Sequence, residues 1–194
     1  MTKVLILGAA GSLARVTTQY FIENTDAELK LYLRNANRLK KSISRRVSLI
    51  EGDVLNKYEL INALQDIDVV YANLSGDLKS QAQSIISAMN TVGIRRLIFI
   101  SSMGIYDEVP GEQYGSILDP YRDSAALIEK SDLDYTIIRP GWFTNDNIIN
   151  YVITHKGEPF KGRFVSRLSI ADFICKIATT DSHFIRESIG IAQA

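Results

Sequence analysis

The segment that most constrains this chain is its beginning, where Lys3-Val4-Leu5-Ile6-Leu7 runs directly into Gly8-Ala9-Ala10-Gly11-Ser12-Leu13-Ala14. Val4 to Leu7 is an unbroken apolar run, the pattern of a parallel strand covered on both faces. Gly8 and Gly11 allow a tight turn and a close approach of backbone to a ligand. Leu13 to Ile22 then reads as a helix, whose free N–H groups and positive dipole end face whatever sits at the turn. A strand, a glycine turn and a helix in this order form an anion site, most often for a dinucleotide pyrophosphate. The pattern G-x-x-G-x-x-A is short, and the same turn can be purely structural. Ala14 stands where a third glycine is common; that position sets helix–strand packing and tolerates a methyl group.

The rest of the chain repeats the alternation. Leu29–Leu33, Val47–Ile50, Asp68–Ala72, Arg96–Ser101 and Tyr135–Ile138 read as strands. Asn56–Gln65, Leu78–Val92 and Tyr121–Lys130 read as helices, with a shorter one near Asn37–Lys41. Strands alternating with helices imply an α/β fold with a doubly wound parallel sheet. Residues 103–120 contain Gly104, Pro110, Gly111, Gly115 and Pro120 and read as a long loop after a strand's C-terminal end, where open α/β sheets bind ligands. Tyr151–Thr154, Arg163–Val165 and Ile189–Ala192 read as short strands, and Ser169–Thr180 as a helix with Ser169 as N-cap and Asp172 in its first turn. At 194 residues one domain is expected, with residues from about 140 to 194 forming a small lobe on the substrate side.

Composition narrows the class. Hydrophobic residues make up 46% and charged residues 23%, as in ordinary globular chains. One cysteine, Cys175, excludes an intrachain disulfide framework and fits a reducing cytoplasm. It lies among Phe173, Ile174 and Ile177 and reads as core. No apolar run is long enough to span a membrane, and the N-terminus lacks a signal-peptide pattern. The net charge is zero, yet Arg34, Arg38, Lys40, Lys41, Arg45 and Arg46 fall in one stretch without an acid. Removing these six leaves 16 basic against 22 acidic residues. A nucleic-acid binder would show a broader basic face; a local patch suits a small anion or is a solvated surface.

Arg34 is the most telling of the six. It follows the second strand, where dinucleotide sites specific for NAD carry an acid for the ribose 2′-hydroxyl. Arg34-Asn35 there instead suits a 2′-phosphate, so NADP(H) is expected over NAD(H). Asp53, in Gly52-Asp53-Val54, can accept from the adenine amino group or cap the helix near Asn56. Asn73-Leu74-Ser75-Gly76 can lie along the middle of the cofactor. Ser101 and Ser102 end the fifth strand, where a hydroxyl can polarise a carbonyl, hold the nicotinamide, or simply cap. Pro140 stops the sixth strand, and Pro140, Gly141 and Trp142 can frame the nicotinamide; Trp142 and Phe143 would form an apolar wall, or Trp142 is core. His155 and His183, the only histidines, show no metal-ligand spacing, and no G-x-S-x-G nucleophile elbow is present.

Taken together, these segments resemble the atypical short-chain dehydrogenase/reductase superfamily. The likeness is greatest to its compact NAD(P)H-binding branch, which includes NmrA-like and biliverdin reductase B-like proteins. The most selective match is Ser131-Asp132-Leu133-Asp134-Tyr135-Thr136-Ile137-Ile138-Arg139-Pro140-Gly141, supported by Ile100-Ser101-Ser102-Met103-Gly104 and Ser166-Arg167-Leu168-Ser169-Ile170-Ala171-Asp172. The resemblance implies a Rossmann-like fold, an NAD(P)(H) cofactor and, often, hydride transfer. Many members use a tyrosine with a lysine four residues later, because a phenol with a pKa of about 10 needs a nearby cation to work at neutral pH. No tyrosine here has that lysine; the expected positions fall on Ile117 and Tyr121.

The reading is therefore an NADP(H)-dependent oxidoreductase for a small carbonyl, quinone or flavin-type substrate, aromatic or apolar in character. Ser101, Ser102 and Tyr121 are the candidate catalytic residues, with Tyr114 or water as other proton sources. The alternative is a non-catalytic NADP(H)-binding sensor acting through a protein partner. A monomer or a homodimer fits either, and neither nucleic acid nor membrane is an expected partner.

Overall fold

A computed structural model describes residues 1–42, 44–180 and 183–193, without the side chains of residues 40–42. The strands are β1 (Lys3–Leu7), β2 (Glu28–Leu33), β3 (Val47–Glu51), β4 (Val69–Ala72), β5 (Arg96–Ile100), β6 (Asp134–Pro140), β7 (Trp142–Thr144), β8 (Val152–His155), β9 (Phe164–Ser166) and β10 (Glu187–Ala192). The α-helices are α1 (Ser12–Asn24), α2 (Lys57–Ala63), α3 (Leu78–Val92), α4 (Asp119–Glu129) and α5 (Arg167–Thr179). Eight strands form one sheet in the order β3-β2-β1-β4-β5-β6-β10-β8, parallel except for β8. The order reverses between β1 and β4, so the crevice above these two strand ends is the topological switch point.

The apolar run of β1 is buried on both sides because its side chains alternate between two cores. Val4 and Ile6 pack with Leu13, Phe21 and Ile174 beneath α1 and α5. Leu5 and Leu7 pack with Leu60, Ile85 and Ala125 beneath α2, α3 and α4. Helix α1 buries Leu13, Ala14, Thr17, Thr18 and Phe21, one face at helical spacing. Helix α3 ends at Gly93, whose φ of +86° is the left-handed conformation that closes a helix.

Several boundaries differ from the sequence reading. Helix α4 begins at Asp119, two residues earlier than expected, after a 3-10 turn at Ser116–Leu118. Pro120 in its first turn, which suggested a loop, is pre-organised for a helix start. The cap of α5 is Ser166, not Ser169: Ser166 Oγ accepts from the Ser169 N–H at 2.9 Å. Residues beyond 140 divide between two places. β7 and β9 pair as a separate two-stranded sheet, while β10 and β8 extend the main sheet and α5 packs on α1. No helix among the described residues is long and apolar enough to cross a membrane.

Candidate functional site

At the end of β1 the Gly8 and Ala9 N–H groups both donate to the Tyr32 carbonyl, at 3.1 and 3.3 Å, and the Gly11 N–H donates to the Gly8 carbonyl at 3.0 Å. Gly8 has a φ of +74°, and a Cβ on it would lie 2.1 Å from the Asn73 carbonyl oxygen. A Cβ on Gly11 would lie 2.7 Å from Asn73 Nδ2. Gly8 is therefore required by the loop after β4, which brings Asn73, Leu74 and Ser75 against the turn, whereas a side chain at Gly11 would have to displace only the Asn73 side-chain amide. Ala14 is fully buried, as expected of the residue that sets helix–strand contact. Gly11 caps α1 and brings no side chain, whereas Asn56, Asp77 and Ser166 cap α2, α3 and α5 with side-chain oxygens. The first-turn N–H groups of α1 thus remain available beside Ala10, Ser12 and Leu13, a donor set that fits a pyrophosphate.

Arg34 and Asn35 follow β2 and are exposed. Among the described residues Arg34 has no side-chain hydrogen bond or ion pair. Glu51, at the end of β3, is instead turned onto the Ala36 N–H at 2.7 Å. The basic stretch is not one patch. Arg46 lies at the opposite end of the sheet, where it donates to the carbonyls of Ile22, Thr25 and Ala27. The side chains of Lys40 and Lys41 lie outside the described residues. Asp53 is not the cap of α2; its Oδ1 accepts from the Leu55 N–H at 2.9 Å, and Asn56 takes the capping role. Gly52 is required by the Tyr32 ring, 2.6 Å from where its Cβ would be, and the Tyr32 hydroxyl donates to the Asp53 carbonyl at 2.9 Å.

On the other side of the switch point a cavity of about 230 Å³ opens between the ends of β5 and β6 and residues 107–118. Ser102, Met103, Tyr114, Leu118, Pro140 and Trp142 are among its lining. Trp142 is 59% exposed, so the core reading is excluded, and Phe143 beside it is also exposed. Pro140 is the last residue of β6, and Gly141 is forced by the Arg163 carbonyl oxygen 2.6 Å from its would-be Cβ. The three candidate catalytic residues are not equivalent. Ser102 lines the cavity and its hydroxyl donates to the Met103 carbonyl at 3.0 Å. Ser101 is buried and donates to the Tyr121 carbonyl at 3.4 Å. Tyr121 is half-buried against the core of α2 to α4. Tyr114, which lines the cavity, hydrogen-bonds Asp119; desolvation and this carboxylate raise its pKa, against the pull of Arg122.

Two side-chain networks that the sequence reading did not single out support this half. Arg139 is fully buried in β6 and paired with Glu108, and it donates to Ser188 Oγ at 3.0 Å. Glu108 in turn accepts from the N–H groups of Gly104 and Tyr106, at 3.1 and 2.9 Å, so it shapes the loop over the cavity. The signal was present: an arginine inside Ile137-Ile138-Arg139-Pro140 demands a buried carboxylate. Arg167, at the start of α5, donates to Ser12 Oγ at 3.2 Å, across the glycine turn.

Residues 8–181 match the model of a family described as NAD(P)H-binding. The chain is similar in structure to a Rossmann-fold NAD(P)-binding family protein from Shigella flexneri, with 42% identity, a TM-score of 0.89, and coverage of 100% of this chain and 94% of that one. A short-chain dehydrogenase/reductase from Veillonella parvula DSM 2008, solved in complex with NADP, shares 30% identity at a TM-score of 0.91, with 99% and 94% covered. Among curated proteins, an uncharacterized sugar epimerase, YhfK, from Bacillus subtilis is 26% identical over 92% of this chain and 88% of its own length.

Proposed function

Because the chain belongs to the NAD(P)H-binding family, we propose that it is an oxidoreductase using NADP(H) in preference to NAD(H), with a small carbonyl, quinone or flavin-type acceptor. The observation that carries this is the pairing, on one sheet edge, of the uncommitted Arg34 with an apolar cavity at the ends of β5 and β6. The bound dinucleotide supplies a hydride. The chain's own residues bind and orient. Gly8, Ala10, Gly11, Ser12 and Leu13 present backbone to the pyrophosphate. Arg34 and Asn35 take the 2′-phosphate, and Asp53 and Val54 the adenine. Asn73, Leu74 and Ser75 line the middle, and Ser101, Pro140, Gly141 and Trp142 frame the nicotinamide end.

The site favours acceptors that need little proton donation. A phenol is an effective acid or base at neutral pH only when its pKa is brought down, and at Tyr114 it is pushed up. Tyr121 has no lysine four residues on; that position is Ala125. An aromatic or quinone-type acceptor delocalises the charge left by hydride addition and can take its proton from water. Positioning of the two reactants then accounts for most of the rate.

The test is NADPH and NADH titration followed by NADPH oxidation with quinones, flavins and simple carbonyls. Tighter NADPH binding with quinone or flavin turnover is the expected result. Ser102→Ala, Tyr114→Phe and Tyr121→Phe are expected to keep that turnover within a few-fold. A loss of roughly a hundredfold or more in one of them would identify a side-chain proton donor and overturn the water route. Binding without turnover would point to the sensor. A sugar epimerisation, the activity in the Bacillus relative's name, would return hydride to the sugar and consume no NADPH.

A further inference from the structure

Arg167 follows the cap of α5, 155 residues from Ser12, yet its guanidinium lies against the glycine turn. Nε donates to Ser12 Oγ at 3.2 Å. Nη1 donates to the Thr144 carbonyl at 3.3 Å and to Asn145 Oδ1 at 2.9 Å. The guanidinium carbon sits 4.9 Å from the centroid of the Phe143 ring. All of these partners are neutral. Among the described residues no carboxylate pairs with Arg167, and its Nη2 is left without a protein acceptor. The side chain is half-buried, so its charge is only partly screened by solvent. An arginine fixed on an aromatic face by neutral acceptors keeps its charge for an anion. Ser12, the residue it touches, is also the first of α1, whose N–H groups lack a side-chain cap.

We propose that Arg167 is a further cofactor-binding residue that binds the dinucleotide's pyrophosphate together with the start of α1. The inference rests on reading this sheet edge as the dinucleotide site. It also separates the roles of two arginines. The pyrophosphate is common to NADPH and NADH, so Arg167 sets affinity for both. The 2′-phosphate belongs to NADPH alone, so Arg34 sets the choice between them. Through Thr144 and Asn145 the same side chain ties the strand that carries Trp142 and Phe143 to the turn that holds the cofactor.

The experiment is calorimetric titration of the full chain with NADPH, NADH and ADP-ribose, in wild type, Arg167→Gln, Arg167→Lys, Asn145→Ala and Arg34→Asp. Arg167→Gln is expected to weaken all three ligands by one common factor, roughly tenfold or more, as for loss of a charge-assisted contact. Arg167→Lys keeps the charge without the fork and should recover part of it. Asn145→Ala removes a neutral partner and should stay within a few-fold of wild type. Arg34→Asp alone should change the ratio of NADPH to NADH affinity. Wild-type affinity for ADP-ribose in Arg167→Gln overturns the proposal, as does a loss confined to NADPH. So does an Asn145→Ala defect as large as that of Arg167→Gln, since Arg167 would then act only as a tie to the 144–145 segment. If Arg167→Gln does not fold, Arg167→Lys decides: unchanged affinity for all three ligands overturns the proposal. Failure of wild type to bind any of the three refutes the dinucleotide reading itself and is seen before any variant is made.

Discussion

Around β1 the ligand-facing geometry is made by backbone. The Gly8 and Ala9 N–H groups hang on one carbonyl of β2, and Asn73 of the next strand's loop closes against the two glycines. Around β6 it is made by side chains. Arg139 reaches Ser188 in β10 and the carbonyl of Thr154 in β8, and its partner Glu108 gathers the loop over the cavity. A backbone site needs particular residues at particular short spacings, because at a position such as Gly8 only glycine fits. A side-chain site needs only that two distant residues meet, and it leaves no spacing to read.

The largest expected effect lies at the strut of the second half. Arg139→Ala would leave the Glu108 carboxylate, 6% exposed, buried without its cation. Breaking such a pair costs about 3–5 kcal/mol, a large part of the stability of a domain this size. Arg139→Met combined with Glu108→Gln should recover much of that, because neither charge is then stranded. Equilibrium urea unfolding of the single and double variants measures both values. A single-variant loss of less than about 1 kcal/mol would mean that the pair does not hold the loop, and the contrast between the halves would fail.

Next comes the turn of the first half. Gly8→Ala forces a Cβ onto a backbone with φ of +74° and into the Asn73 carbonyl, 2.1 Å away. Strain of this kind is worth about 1–3 kcal/mol, and relief requires the Asn73 loop to move off the turn. NADPH binding should fall with stability, in contrast to Arg139→Ala, where the cofactor side remains intact in whatever fraction stays folded. Calorimetry and thermal unfolding on the same samples separate the two. Retained NADPH affinity in Gly8→Ala would show that close packing at the turn is not what shapes the site.

Arg34→Asp is expected to act on binding and hardly on stability, since Arg34 is exposed and makes no described contact to lose. NADPH affinity should fall roughly tenfold to a hundredfold, and NADH affinity should stay within a few-fold. Equal loss for both nucleotides would remove Arg34 from the 2′-phosphate. The placement of Arg34, exposed just after β2, was legible because it follows from the local strand pattern alone. The parallel sheet and its helices were legible for a related reason: Val4 to Leu7, Leu29 to Leu33 and Arg96 to Ile100 are local patterns with the right period. Glu108 was not, because it bonds the loop that contains it and an arginine 31 residues away. Arg167 was not, because nothing in Ser166-Arg167-Leu168 says that its side chain turns toward Ser12. The N-cap of α5 slipped by three residues because Ser166 and Ser169 are both residue types that cap helices; both hydroxyls reach the Ile148 carbonyl, and only the Ser169 N–H donating to Ser166 Oγ separates them.

The smallest effect is expected where the two halves meet. Asp172 of α5 accepts from the Tyr20 hydroxyl of α1 at 2.8 Å, from Tyr151 at 2.8 Å and from Lys176 at 2.7 Å. Burial alone would raise its pKa, but Lys176 and the two hydroxyls outweigh it, so the carboxyl is held below the ordinary aspartate value. A carboxylate depressed in the folded state stabilises fully above its unfolded pKa of about 4, and that contribution is lost as the pH falls through the lower folded value. Asp172→Asn keeps one of the two acceptor oxygens, enough for one of the tyrosines, and removes the titration. The stability gap between wild type and Asp172→Asn should therefore be constant from neutral pH down to about 5 and shrink below about 4. Urea unfolding at a series of pH values reads it directly. A gap that does not move with pH would mean that Asp172 joins α1 to α5 by its hydrogen-bond geometry alone, and that its charge contributes nothing to holding the backbone-built half against the side-chain-built one.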